Sequence, residues 1–191
     1  YLVAFAFGEL QSKLTETKSR VKIGVFSTKA HAEKELVFAL DIAKRSIEFY
    51  EDYYQTPYPL PHSWQLALPD FSAGAMENWG LVTYREAYLL LNPDNTSLDT
   101  KRIVATVIAH ELAHQWFGDL VTMKWWDDLW LNESFANMME YVAIDALQPD
   151  WNIWELFQTS EAPQALQRDA TDGVQSAHVE VRDPAEIDSL F

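Results

Sequence analysis

The sequence predicts an α+β fold, and three observations carry that prediction. Short runs rich in Val, Ile and aromatic residues, separated by Pro and Gly, crowd the first hundred residues as strands do. Longer stretches with helical spacing and polar capping residues fill the remainder. A composition of 48% apolar and 14% aromatic residues across 191 positions supplies a sizeable core and excludes a disordered tail. The length suits one domain, residues 1–191, with a sheet-containing half over 1–99 and a helical half over 100–191.

Residues 1–7 and Val21 to Phe26 read as strands, joined by a polar connector around Gln11 to Arg20. Ser27 or Thr28 is placed to cap a helix running to about Tyr54, and the three prolines of Gln55 to Pro61 end it. Trp64 to Leu68 and Gly80 to Tyr84 read as two further strands. The segment between them, Asp70 to Asn78, is too small and polar for a core element. Asp99 or Thr100 caps a helix that Gly118 can close in a left-handed conformation. Trp125-Trp-Asp-Asp128 leads into a second helix ending before Pro149, and Asp150 caps a third from Trp151 to about Arg168. The tail is mostly loop, with Ala177 to Val181 extended.

Charge narrows the function. The formal net charge is −15, a field that repels nucleic acid and anionic membranes and favours metal ions or peptides with a free amine. With no cysteine, thiolate catalysis, disulfides and Cys-based zinc sites are excluded, and the composition leans towards a cytoplasmic setting. No apolar run approaches the roughly 20 residues needed to cross a bilayer. The chain opens without Met in an apolar run and stops at Leu190-Phe191, which reads as an excerpt from a longer polypeptide.

The chemistry-bearing pattern is His110-Glu-Leu-Ala-His114. Positions i and i+4 share a helix face, so both imidazoles can grip one ion. Zinc accepts nitrogen at about 2.0–2.1 Å and can keep an open position for a reactive water. Glu111 lies beside that face, placed to take the water's proton. Chance produces such a pentapeptide in roughly one chain in a hundred of this composition, and the bland alternative is a buried helix with two incidental histidines. A third ligand must come from elsewhere. Glu133 in Trp130-Leu-Asn-Glu133-Ser follows after a spacer of 18 residues, Gln115 to Asn132, enough for a chain reversal and a new helix. Glu133 is otherwise a solvated helix glutamate, although its apolar, Trp-rich approach makes an unpaired carboxylate there expensive. Glu140, seven residues on, shares its face and is a candidate partner for a ligand imidazole.

His110 to Asp119 with Trp125 to Glu133, and Gly74-Ala-Met-Glu-Asn78 upstream on the expected side, closely resemble the motifs of the M1 zinc aminopeptidases, and three such motifs in the right order are highly specific. The resemblance covers about residues 50–190. It implies a thermolysin-like (gluzincin) catalytic domain, a mixed sheet followed by a mostly helical half, that removes N-terminal residues from peptides. It implies one Zn²⁺ on His110, His114 and Glu133, with Glu111 as general base activating a zinc-bound water. It gives Glu77 the substrate's α-ammonium and lets Gly74, Ala75 and Met76 line the first residues of the peptide. A carboxylate that pairs with the terminal ammonium measures from the chain end, which an exopeptidase needs. The same resemblance puts an oxyanion-stabilising tyrosine, and flanking N- and C-terminal domains, outside these residues, so the excerpt is expected to turn over little substrate. Ser134 stands where many members carry glycine. A peptide-binding module with a vestigial site is the alternative from another class. An epoxide hydrolase branch is the alternative within the family, and Ala75 speaks against it.

Overall fold

The computed structural model describes residues 3–174, 176–183 and 186–187. Five strands form one mixed sheet in the order β1-β2-β3-β5-β4. β1 (Leu10–Glu16) runs antiparallel to β2 (Lys22–Thr28), pairing Leu10 with Thr28 and Glu16 with Lys22. The chain then crosses over through α1 (Val37–Tyr54), so β3 (His62–Leu68) lies parallel to β2. β5 (Leu81–Arg85) is parallel to β3, and β4 (Ala75–Met76) returns antiparallel on its outer side.

Several sequence expectations give way here. Residues 3–7 form no strand, and Tyr1 and Leu2 lie outside the described residues. The expected connector over Gln11 to Arg20 is mostly β1 itself. An outer strand carries polar residues on both faces because only one neighbour covers it. The first helix starts at Val37, after a 3-10 turn at Glu33–Leu36, rather than after Thr28. The small, polar stretch before Asn78 contains β4, too short to announce itself.

Helices build the rest. α2 (Leu98–His114) is capped by Ser97, whose side chain accepts from Thr100 N, and Asp99 sits in the first turn where the helix dipole favours it. Ala105, Ala109 and Ala113 are fully buried one turn apart, letting α1 and α3 (Leu129–Leu147) approach closely. Tyr50 of α1 bolts the three together, its hydroxyl donating to Ala109 O at 2.8 Å and Met139 O at 3.3 Å. The single helix expected to follow is instead a 3-10 turn at Pro149–Trp151, then α4 (Ile153–Thr159) and α5 (Glu161–Asp169). Pro163 explains the break, since it has no N–H to offer the carbonyl of Thr159. The tail docks back on the approach to α3: Val179 and Val181 donate to Asp127, and Trp125 Nε1 donates to Val181 O.

Candidate active site

α2 delivers His110 and His114 from one face of its last turn, as the i, i+4 spacing requires. Their rings stand nearly perpendicular with centroids 4.7 Å apart, and their Nε2 atoms are separated by 3.1 Å. α3 brings Glu133 Oε2 to 3.3 Å from His110 Nε2 and 3.5 Å from His114 Nε2. Both Nδ1 atoms are already engaged. His110 Nδ1 donates to Glu140 Oε2 at 2.9 Å, and His114 Nδ1 donates to Asn132 Oδ1 at 2.7 Å. These bonds set the tautomers and turn both Nε2 lone pairs inward.

Two lone pairs and a carboxylate oxygen facing one another repel unless a cation lies between them. A tetrahedral metal with ligands at about 2.0–2.2 Å has ligand–ligand edges of about 3.3–3.6 Å. The observed separations fall at or just below that range. His110, His114 and Glu133 therefore fit a metal ion, and they are the one group of this kind among the described residues. Burial pulls the His110 pKa down, but its bonds to Glu133 and Glu140 win and raise it well above the usual value. Burial raises Glu133, yet the two histidines hold it at about 2.

Glu111 is buried beside the cluster, and its Oε2 has no hydrogen-bond partner among the described residues. Burial lifts its pKa to about 8, against the pull of His110 and His114 and with help from the charges of Glu77 and Glu133. An ion on the three ligands would add positive charge and draw it back down. A polar atom left unpaired in a buried site is costly unless something comes to meet it.

Glu77 follows β4 directly and is buried. Asn132 Nδ2 donates to its Oε1 at 3.3 Å, and Gln115 Nε2 donates to its backbone oxygen at 2.9 Å. Ala75 and Met76 lie half-buried on β4, at the edge of the sheet, and half-buried Gly74 just before it accepts through its O from Arg85 N at 2.9 Å. The ring of Tyr88 would touch a Cβ at Gly74. A cavity of about 660 Å³ opens against His110 and Glu133, walled by Trp126, Trp130, Asn137 and Arg168. A larger hollow of about 880 Å³, between Lys18 and the end of α1, holds none of these residues.

The structure thus brings His110, His114 and Glu133 together, with Glu111 beside them and Glu77 linked to His114 through Asn132, while Gly74, Ala75 and Met76 lie at the sheet edge. It adds two: Asn132 reads from sequence as scaffold, and Gln115 carries no signal of its own. The clue for Gln115 was helical phase, because it lies one turn beyond Glu111 on the same face. His178 pairs with Asp128 at 2.9 Å. His31, which reads as a surface residue, instead lies partly buried between Glu35 and Glu86.

A sequence model of the peptidase family M1 domain matches residues 38–191. The chain belongs to peptidase family M1. It is 79% identical over its full length to an aminopeptidase N of Lactobacillus delbrueckii subsp. lactis and 78% identical to that of Lactobacillus helveticus, covering 23% of each. A puromycin-sensitive aminopeptidase of Caenorhabditis elegans is 47% identical across the same span, which is 20% of its length. The chain therefore corresponds to less than a quarter of these M1 relatives. The M1 assignment agrees with the α+β architecture and with a His-His-Glu group able to hold a metal ion.

Proposed function

We propose that this chain carries the catalytic centre of a zinc-dependent aminopeptidase with a thermolysin-like domain, acting on peptides that have a free N-terminus. One observation carries the reading: a metal-ligand cluster with the buried base Glu111 beside it and a second buried carboxylate, Glu77, linked through Asn132 to ligand His114. The names of the M1 relatives point the same way.

His110, His114 and Glu133 would hold the Zn²⁺. When bound, the ion polarises a carbonyl and brings the pKa of a water towards 7. Glu111 then accepts the proton of the attacking water and returns it to the leaving amine. Glu77 pairs with the substrate's ammonium by charge-assisted hydrogen bonds, fixing the distance from the chain end to the bond that breaks. The outer edge of Gly74 to Met76 pairs with an extended peptide backbone, with Met76 as an adaptable wall for its first side chain. Glu140 and Asn132 keep the imidazoles oriented. The acidic field of the chain favours a cationic terminus.

No helix among the described residues is long and apolar enough to cross a membrane. A cytoplasmic setting and association with N- and C-terminal domains complete the proposal. The 191 residues alone are proposed to bind the ion with little turnover, because the resemblance places the oxyanion tyrosine outside them. The test is hydrolysis by the full-length protein of amino-acyl anilides and their N-acetylated counterparts, with and without chelator. Cleavage restricted to free amines and abolished by chelation is the expected result. Equal rates on acetylated substrates would sink the aminopeptidase reading.

A further inference from the structure

Chain-end measurement needs the ammonium-binding carboxylate held at a fixed distance from the metal ligands, to within a fraction of an ångström. Glu77 sits in the turn between β4 and β5; Leu81 N closes that turn on Asn78 O at 3.0 Å and Asn78 Nδ2 donates to Thr83 Oγ1 at 3.1 Å, but neither bond holds Glu77 itself. Gln115, the residue after α2, is completely buried and reaches across to it. Its Nε2 donates to Glu77 O at 2.9 Å and to Asp119 Oδ2 at 2.8 Å. Its Oε1 accepts from Gly80 N at 3.0 Å and from the Tyr58 hydroxyl at 3.1 Å. A carboxamide has two N–H donors and two lone pairs, so all of its capacity is used and its orientation is fixed. Two of the four bonds grip the backbone at both ends of the Glu77–Gly80 turn.

Asn132 secures the side chain that this grip leaves projecting. Its Nδ2 donates to Glu77 Oε1 while its Oδ1 accepts from His114 Nδ1. Gly118 makes room for this: its φ is 137°, and a Cβ there would collide with Asn132 Oδ1. The main chain of Glu77 is thus referenced to the residue beside ligand His114, and its carboxylate to His114 itself.

From this geometry we propose that Gln115 is the positioning residue for chain-end recognition. It sets the place of the Glu77 carboxylate relative to the metal ligands and acts on the reaction through Glu77 alone. The proposal rests on the aminopeptidase reading. Its test is a double-mutant cycle in the full-length, zinc-loaded protein. Gln115→Glu keeps acceptors for Gly80 N and the Tyr58 hydroxyl but loses the donors to Glu77 O and Asp119. KM for a free-amine amino-acyl anilide should rise about tenfold or more, with kcat changed by less than about threefold and zinc content unchanged. In a Glu77→Ala background the same substitution should change KM no further, the signature of two residues acting as one unit. Should Gln115→Glu not accumulate as folded protein, Gln115→Asn carries the same cycle. If KM depends on Glu77 but the Gln115 effect adds in full to it, the positioning role is overturned while the aminopeptidase reading stands. If Glu77→Ala alone leaves KM unchanged, chain-end reading by Glu77 fails, and this proposal with it.

Discussion

Glu111 and Glu133 are carboxylates on either side of the same two imidazoles, yet their pKa values move apart, to about 8 and about 2. The difference lies in hydrogen bonds. Glu133 meets both histidine nitrogens, whereas Glu111 meets none and feels mainly burial. Two carboxylates in such different surroundings are suited to different tasks, one to hold a cation and the other, once an ion draws its pKa back down, to accept a proton. Glu111→Gln should therefore retain the metal while lowering kcat in the full-length enzyme by about 10²–10⁴-fold. Glu133→Ala should lose the metal itself, and elemental analysis of both variants separates the roles. The raised His110 pKa adds a second consequence, since a proton on that imidazole competes with the ion. Affinity should rise with pH until His110 would deprotonate unaided, with proton release detectable by titration calorimetry in buffers of different ionisation enthalpy. Affinity independent of pH would contradict that picture. At this scale the sequence was highly legible, because an i, i+4 histidine pair and its later glutamate are local patterns. Gln115 was not, because a buried amide's importance lies in four partners far along the chain.

Among the elements, β2 shows how packing rather than propensity places residues. Gly24 sits where Phe26 and Trp64 meet edge to face, with ring centroids 5.5 Å apart. A Cβ at Gly24 would come within 2.7 Å of both rings and 2.8 Å of Leu14. Gly24→Ala should cost about 1–3 kcal/mol in a denaturant titration, the usual range for overpacking. A loss below about 0.5 kcal/mol would mean that the rings move aside freely. His31 links elements differently, bonding Glu35 at 2.8 Å through Nδ1 and Glu86 at 3.0 Å through Nε2. It thereby joins the 3-10 turn before α1 to the one after β5, near the ion pair of Lys34 and Asp94. Partial burial lowers its pKa, but the two carboxylates outweigh this and raise it. A raised folded value means that the stabilisation is complete below the unfolded pKa of about 6.5 and fades as pH rises through the folded value. The stability gap between wild type and His31→Gln should accordingly shrink from about pH 6 upward and stay below about 1 kcal/mol, as partly exposed pairs do. A gap that widens with pH would refute the assignment. Buried strands such as β3 and the centres of α2 and α3 were readable from apolar runs. β1, polar on both faces, was not, and the break at Ser160 needed the consequence of Pro163 rather than its presence.

At the scale of the whole molecule, the metal cluster is also a joint. Its ligands come from α2 and α3, whose buried alanines bring them together, and Glu140 and Asn132 of α3 each bond a histidine of α2. Zinc binding should therefore stabilise the fold through the α2–α3 contact, not merely equip it for chemistry. A ligand bound only by the folded state contributes about 2.7 kcal/mol at a hundred times its Kd. For a chain of this size each kcal/mol moves Tm by about 2–4 °C, so zinc at that concentration should raise Tm by roughly 5–11 °C. Chelator should reverse the shift with little change in helical content, because the apolar core that Tyr50 and the buried alanines share across α1, α2 and α3 does not require the ion. Glu133→Ala should abolish the zinc-dependent part and also lower the metal-free Tm, because both imidazoles lose the carboxylate they bond. Glu111→Gln should preserve the zinc-dependent part. Thermal melts of the 191-residue chain and both variants, with and without zinc, decide the matter. A zinc response surviving in Glu133→Ala would place the ion elsewhere and undo the ligand assignment.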